Sequence, residues 1–118
     1  MSATQDTKAL TLDEIRALAT KALLAHGCDE ANAAAIADTV TRAERDGSAS
    51  HGLFRLPGYI KSMQSGKVNG KAQPVIDQTL PAVISVDGAH GYAPYTLSES
   101  LPVLAKAASQ TGIAVMRL

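Results

Sequence analysis

The chain has 118 residues, the length of one domain or of a piece of a larger protein, and eleven basic side chains balance eleven acidic ones. An apolar share of 46% excludes disorder, while the lack of any Lys/Arg run argues against a nucleic-acid partner. No stretch reaches the roughly 18 continuous apolar residues of a membrane span, and the polar start has no secretory h-region, so a cytoplasmic location and no membrane partner are expected.

Residues 1–10 read as a polar lead-in and 11–66 as a helical segment. Thr11 followed by Glu14 is a capping-box signature, in which hydroxyl and carboxylate each take one orphan amide. Leu12, Ile15, Leu18, Ala19, Ala22 and Leu23 then recur at helical period up to a stop at Gly27. His26 beside that stop reads as a cation at the negative end of the helix in preference to a metal ligand. The single Cys28 has no companions at zinc spacing and reads as a small, inert hydrophobe, so no metal is expected.

Asp29 is placed to cap a second helix over residues 30–46, with Ala33, Ile36, Ala37, Val40 and Ala43 facing inward. Arg42, Glu44, Arg45 and Asp46 near its end read as solvated. A third helical piece is predicted over residues 51–65, with Pro57 either opening it or kinking it. Its apolar stripe is Leu53, Leu56, Tyr59, Ile60 and Met63.

The remaining residues, 67–118, read as a linker followed by strand, helix and strand. The linker spans residues 66–74. A short buried strand covers residues 82–86 and ends in a turn at Asp87-Gly88, where glycine is expected to supply the positive φ. A helix over residues 95–110 shows its period in Leu97, Leu101, Leu104, Ala105 and Ala108, and a second strand covers residues 113–118. The fold class is therefore α/β, a helical N-terminal part followed by the start of a β-α-β unit. A chain that stops on a sheet strand reads as an incomplete piece of a larger fold.

Chemistry concentrates in residues 45–59, RDGSASHGLFRLPGY, which place Ser50, His51 and Arg55 within six positions. On a helix from His51, the imidazole and the guanidinium would stand one turn apart on one face. A proton donor beside a fixed cation fork suits a carboxylate-bearing substrate that gains a proton. The plainer alternative is a solvated helix start with a surface His and Arg. Ser50 adjoins His51 and reads as its hydrogen-bonding orienter; sequence neighbours on a helix do not face each other, so contact requires a non-helical start. No GxGxxG after a strand and no Walker loop are present.

The same stretch resembles the signature of the malate/L-lactate dehydrogenase family of the non-Rossmann kind. That family includes sulfolactate, ureidoglycolate and diketogulonate enzymes and the Δ1-piperideine/Δ1-pyrroline-2-carboxylate reductases. The likeness runs over residues 10–118: a helical lead, the Ser-His-Gly motif in its Asp-Gly setting with a following Arg, a strand with VDG, a helix, then GIAVMRL. The GLFRLPGY wording, with Gly70-Lys71-Ala72 and Pro74 after it, is most similar to the cyclic imino acid reductase branch. The resemblance implies an NAD- or NADP-dependent oxidoreductase acting on a 2-oxo/2-hydroxy acid or a cyclic imino acid, homodimeric when complete. It assigns acid/base catalysis to His51, its orientation to Ser50 and the grip on the substrate carboxylate to Arg55.

Family members are considerably longer. The resemblance therefore implies that most cofactor contacts, and the Asp completing a Ser-His-Asp arrangement, lie beyond Leu118, and that the 118-residue chain alone is inactive. Pro94 stands where many members carry Gln. Two rival readings are a truncated product without catalysis and a small carboxylate-binding module.

Overall fold

The computed structural model describes residues 6–118. Helix α1 (Leu12–Ala25) begins at the predicted capping box: Glu14 N donates to Thr11 Oγ1 and Thr11 N to Glu14 Oε2, each at 3.1 Å. Gly27 (φ 101°) turns the chain out of it, and the His26 ring holds the Ala22 carbonyl at 2.7 Å. Helix α2 (Glu30–Arg45) is capped by Asp29, whose Oδ1 accepts from Asn32 N at 2.9 Å. Ile15, Ala19 and Leu23 of α1 pack on Ala33, Ile36, Ala37 and Val40 of α2 in one apolar cluster. The alanines let the two helices approach closely. Leu12 and Leu18 of the predicted stripe stay exposed.

The third helix departs from prediction. The chain makes two 3-10 turns, Ala49–His51 and Leu53–Arg55, before helix α3 (Leu56–Gln64) begins with Pro57 in its first turn. Proline fits there because a first-turn N–H has no intrahelical acceptor. Leu56 is buried, and Leu53, Tyr59, Ile60 and Met63 pack around it as the stripe predicts.

The linker is also more ordered than it reads. Gly70 O accepts from Asp29 N at 2.9 Å, Asn69 N donates to His90 O at 2.8 Å, and Ala72 is buried. Strand β1 (Val75–Leu80) follows, an element absent from the sequence reading. It pairs antiparallel with β2 (Val83–Asp87), with an irregularity between Gln78 and Leu80. Helix α4 (Ala93–Thr111) then crosses to β3 (Val115–Arg117), which lies parallel to β2, giving the order β1-β2-β3. The predicted β-α-β unit is therefore present.

Ile84 and Val86 meet Ala107 of α4 in a second, smaller cluster. The inner face of α4 is Thr96, Ser100 and Ala107, whereas Leu101 and Ala105 of the predicted stripe are exposed. The hydroxyls of Thr96 and Ser100 return to the carbonyls four residues back, which lets them be buried against a neighbour without an unpaired group. Pro94 occupies the first turn of α4. Among the described residues no helix is long and apolar enough to cross a membrane.

The turn before α4 corrects another expectation. Positive φ falls on Ala89 (54°) and His90 (60°), not on Gly88 or Gly91. The turn is closed by Gly91 N to Gly88 O at 2.9 Å and braced by Ala89 N to Asp87 Oδ1 at 2.8 Å. Gly91 is needed for a different reason: a Cβ there would lie 2.5 Å from that of Ala72. A left-handed L-residue costs about 1–2 kcal/mol. Ala89→Gly is therefore expected to raise unfolding free energy by about 1 kcal/mol, read as an increased denaturation midpoint; an unchanged or lower midpoint would contradict a strained turn.

Candidate functional site

A cleft of about 450 Å³ opens between α2, α3 and the turn that precedes α4. His51 and Arg55 both line it. The reason they meet is not the continuous helix expected from their spacing. Each closes a 3-10 turn, through His51 N to Ser48 O (2.9 Å) and Arg55 N to Gly52 O (2.9 Å), with the chain redirected at Gly52 between them.

Glu44 makes that redirection possible. Its Oε1 accepts from Leu53 N at 2.8 Å and so satisfies the start of the second turn. Gly52 is buried under this carboxylate, and a Cβ there would stand 2.1 Å from Glu44 Oε1. Sequence reading had placed Glu44 in solvent; no local signal ties it to an amide nine residues on. Gly52→Ala is expected to cost about 1–3 kcal/mol, because Glu44 must swing aside and leave Leu53 N without its acceptor, seen as a lower denaturation midpoint. A variant as stable as the parent would remove the Glu44–Leu53 contact from the account.

Arg55 is oriented by the main chain. Its Nε donates to Ser50 O at 2.9 Å, while its terminal nitrogens have no protein acceptor among the described residues. Two parallel N–H groups are thus left for a planar carboxylate. Ser50 enters the site through its carbonyl. In a 3-10 turn successive side chains diverge by about a third of a turn, and among the described residues the Ser50 hydroxyl has no hydrogen bond to His51. The imidazole of His51 is exposed to the cleft solvent.

Two tyrosines, missed as site residues by the sequence reading, wall the cleft. Their rings meet edge to face with centroids 5.5 Å apart and planes at 71°. Tyr92, the residue capping α4, donates its hydroxyl to the Tyr59 carbonyl and so ties the β2–α4 turn to α3. Burial, with Cys28 and Tyr59 nearby, pushes the Tyr92 phenol up to about 12. It therefore remains a donor across the neutral range. Cys28, buried beside Asp29, has its thiol pushed up to about 11, which fits the inert role expected of it.

Residues 10–118 match the family model described as malate/L-lactate dehydrogenase. The chain belongs to the malate/L-lactate dehydrogenase family. Within that family it is similar to the Δ1-pyrroline-2-carboxylate reductase of Ancylobacter novellus, 43% identical over 109 residues, covering 92% of this chain and 32% of that protein. The Δ1-pyrroline-2-carboxylate/Δ1-piperideine-2-carboxylate reductase of Pseudomonas aeruginosa is 40% identical over 107 residues, covering 91% and 32% respectively. The crystal structure of Δ1-piperideine-2-carboxylate reductase from Pseudomonas syringae pv. tomato superposes with a TM-score of 0.89 at 34% identity, over 93% of this chain and 33% of that one. The α/β arrangement of this dehydrogenase family is thus the one seen here. The chain spans about a third of the length of the curated relatives it matches.

Proposed function

We propose that this chain supplies the carboxylate clamp and the proton donor of an NAD(P)-dependent reductase acting on a cyclic imino acid. The observation that carries the reading is the Arg55 fork, held by Ser50 O, with no acceptor on its terminal nitrogens among the described residues, in the cleft that His51 shares. Arg55 receives the substrate carboxylate through two parallel charge-assisted bonds and fixes the plane of the adjoining C=N group. His51, as imidazolium, gives its proton to the imine nitrogen while C2 gains hydride. A 2-oxo acid would present a carbonyl oxygen to His51 in the same place. Ser50 is proposed as the orienter of His51, while its carbonyl holds Arg55.

Hydride is the chemistry a nicotinamide cofactor, NAD or NADP, supplies when bound. The described residues of the cleft present one guanidinium, one imidazole and no glycine-rich backbone loop, which does not amount to a cradle for a dinucleotide's two phosphates. We therefore assign the cofactor's contacts to residues outside this segment. The same reading takes the complete enzyme to be a cytoplasmic homodimer with a small carboxylate substrate.

The full-length protein carrying this segment is expected to oxidise NADPH or NADH on addition of Δ1-pyrroline-2-carboxylate or Δ1-piperideine-2-carboxylate, followed by absorbance of the reduced nicotinamide. Turnover of neither imino acid with either cofactor would remove this reading.

A further inference from the structure

Gly58 is hard to explain by the fold. It sits in the first turn of α3, its φ lies outside the left-handed region, and a Cβ built on it meets nothing within 4 Å. Among the described residues neither turn geometry nor close packing requires glycine there. Glycine within a helix costs up to about 1 kcal/mol relative to alanine, so the position is weaker than the backbone allows. What Gly58 does border is the cleft. Arg55, Gly58, Tyr59 and Ser62 line it at the spacing of one helical face. The space a side chain would fill opens into the cleft that Arg55, Tyr59 and Tyr92 also line.

We propose that Gly58 is a specificity-determining residue: its missing side chain leaves the room in which the ring of a cyclic carboxylate lies against the two tyrosines. The inference rests on the reading that Arg55 holds the substrate carboxylate. An acyclic 2-oxo acid held by the same fork has no ring to place there and is indifferent to a side chain at this position. A five- or six-membered ring meets it directly, the larger ring more severely.

The test compares Gly58→Ala and Gly58→Leu with the parent in the full-length enzyme. Dissociation constants are measured by calorimetry for pyrrole-2-carboxylate, a flat ring bearing the carboxylate, and for pyruvate, which has the carboxylate and no ring. Melting temperatures are recorded for every variant. The expected result is a melting temperature of Gly58→Ala equal to or above the parent's, with pyrrole-2-carboxylate weakened severalfold in Gly58→Ala and at least tenfold in Gly58→Leu. Pyruvate binding changes less than twofold in both.

Equal weakening of the two ligands, or unchanged ring binding in Gly58→Leu, overturns the inference. If Gly58→Leu does not fold, the Ala variant alone decides by the same comparison. Arg55→Ala separates the two levels. Loss of both ligands there, with Gly58 variants unaffected, leaves the clamp standing and removes only the role of Gly58. Retention of both ligands by Arg55→Ala removes the clamp and the inference with it.

Discussion

His51→Ala in the full-length enzyme is expected to lower the rate of imino acid reduction by about 10²–10⁴-fold, the usual share of a positioned general acid. The expectation follows from the cleft: among the described residues that line it, His51 is the one imidazole, the side chain suited to proton transfer. Affinity for the reduced nicotinamide should survive, because the described cleft residues form no phosphate cradle. Steady-state turnover and fluorescence titration with NADPH together check this. Parallel loss of rate and cofactor affinity would make His51 a structural residue.

The second large effect concerns Arg55→Lys. The substitution keeps the charge and removes the planar fork and its anchor to Ser50 O, so one of the two charge-assisted hydrogen bonds proposed to hold the carboxylate would be lost. A loss of about 1.5–3 kcal/mol is expected, equivalent to roughly 10- to 150-fold in kcat/KM. If, as proposed, the carboxylate is held before and during proton transfer, KM should rise and turnover should also fall as the C=N group loses its alignment. Kinetics identical to the parent's would take Arg55 out of the site.

Features written in contiguous residues were legible before the structure was known. The Thr11/Glu14 capping box, the Asp29 cap and the β-α-β unit each depend on near neighbours, and each is present. Ser50, His51 and Arg55 were visible for the same reason, and the cleft brings the latter two together. The geometry behind that meeting was not visible. A helix from residue 51 satisfied the spacing, but the redirection at Gly52 depends on Glu44, whose partner amide lies in a different element.

Strand β1 escaped because it is an edge strand exposed on nearly every residue, which erases the alternation that marks a half-buried strand. The α4 stripe was misread because Thr96 and Ser100 satisfy their hydroxyls internally and so pack as small apolar groups, displacing Leu101 to the surface. Tyr92 joins the site through tertiary contacts, among them its bond to the Tyr59 carbonyl, which periodicity does not encode.

The central claim is that Arg55 and His51 act on two ends of one substrate. Single-turnover hydride transfer in the full-length enzyme, followed across imino acid concentrations in the parent, His51→Ala and Arg55→Lys, tests it most directly. The expected result is a slower limiting rate with a nearly unchanged half-saturation concentration in His51→Ala, and a raised half-saturation concentration in Arg55→Lys. A limiting rate in His51→Ala equal to the parent's would contradict it.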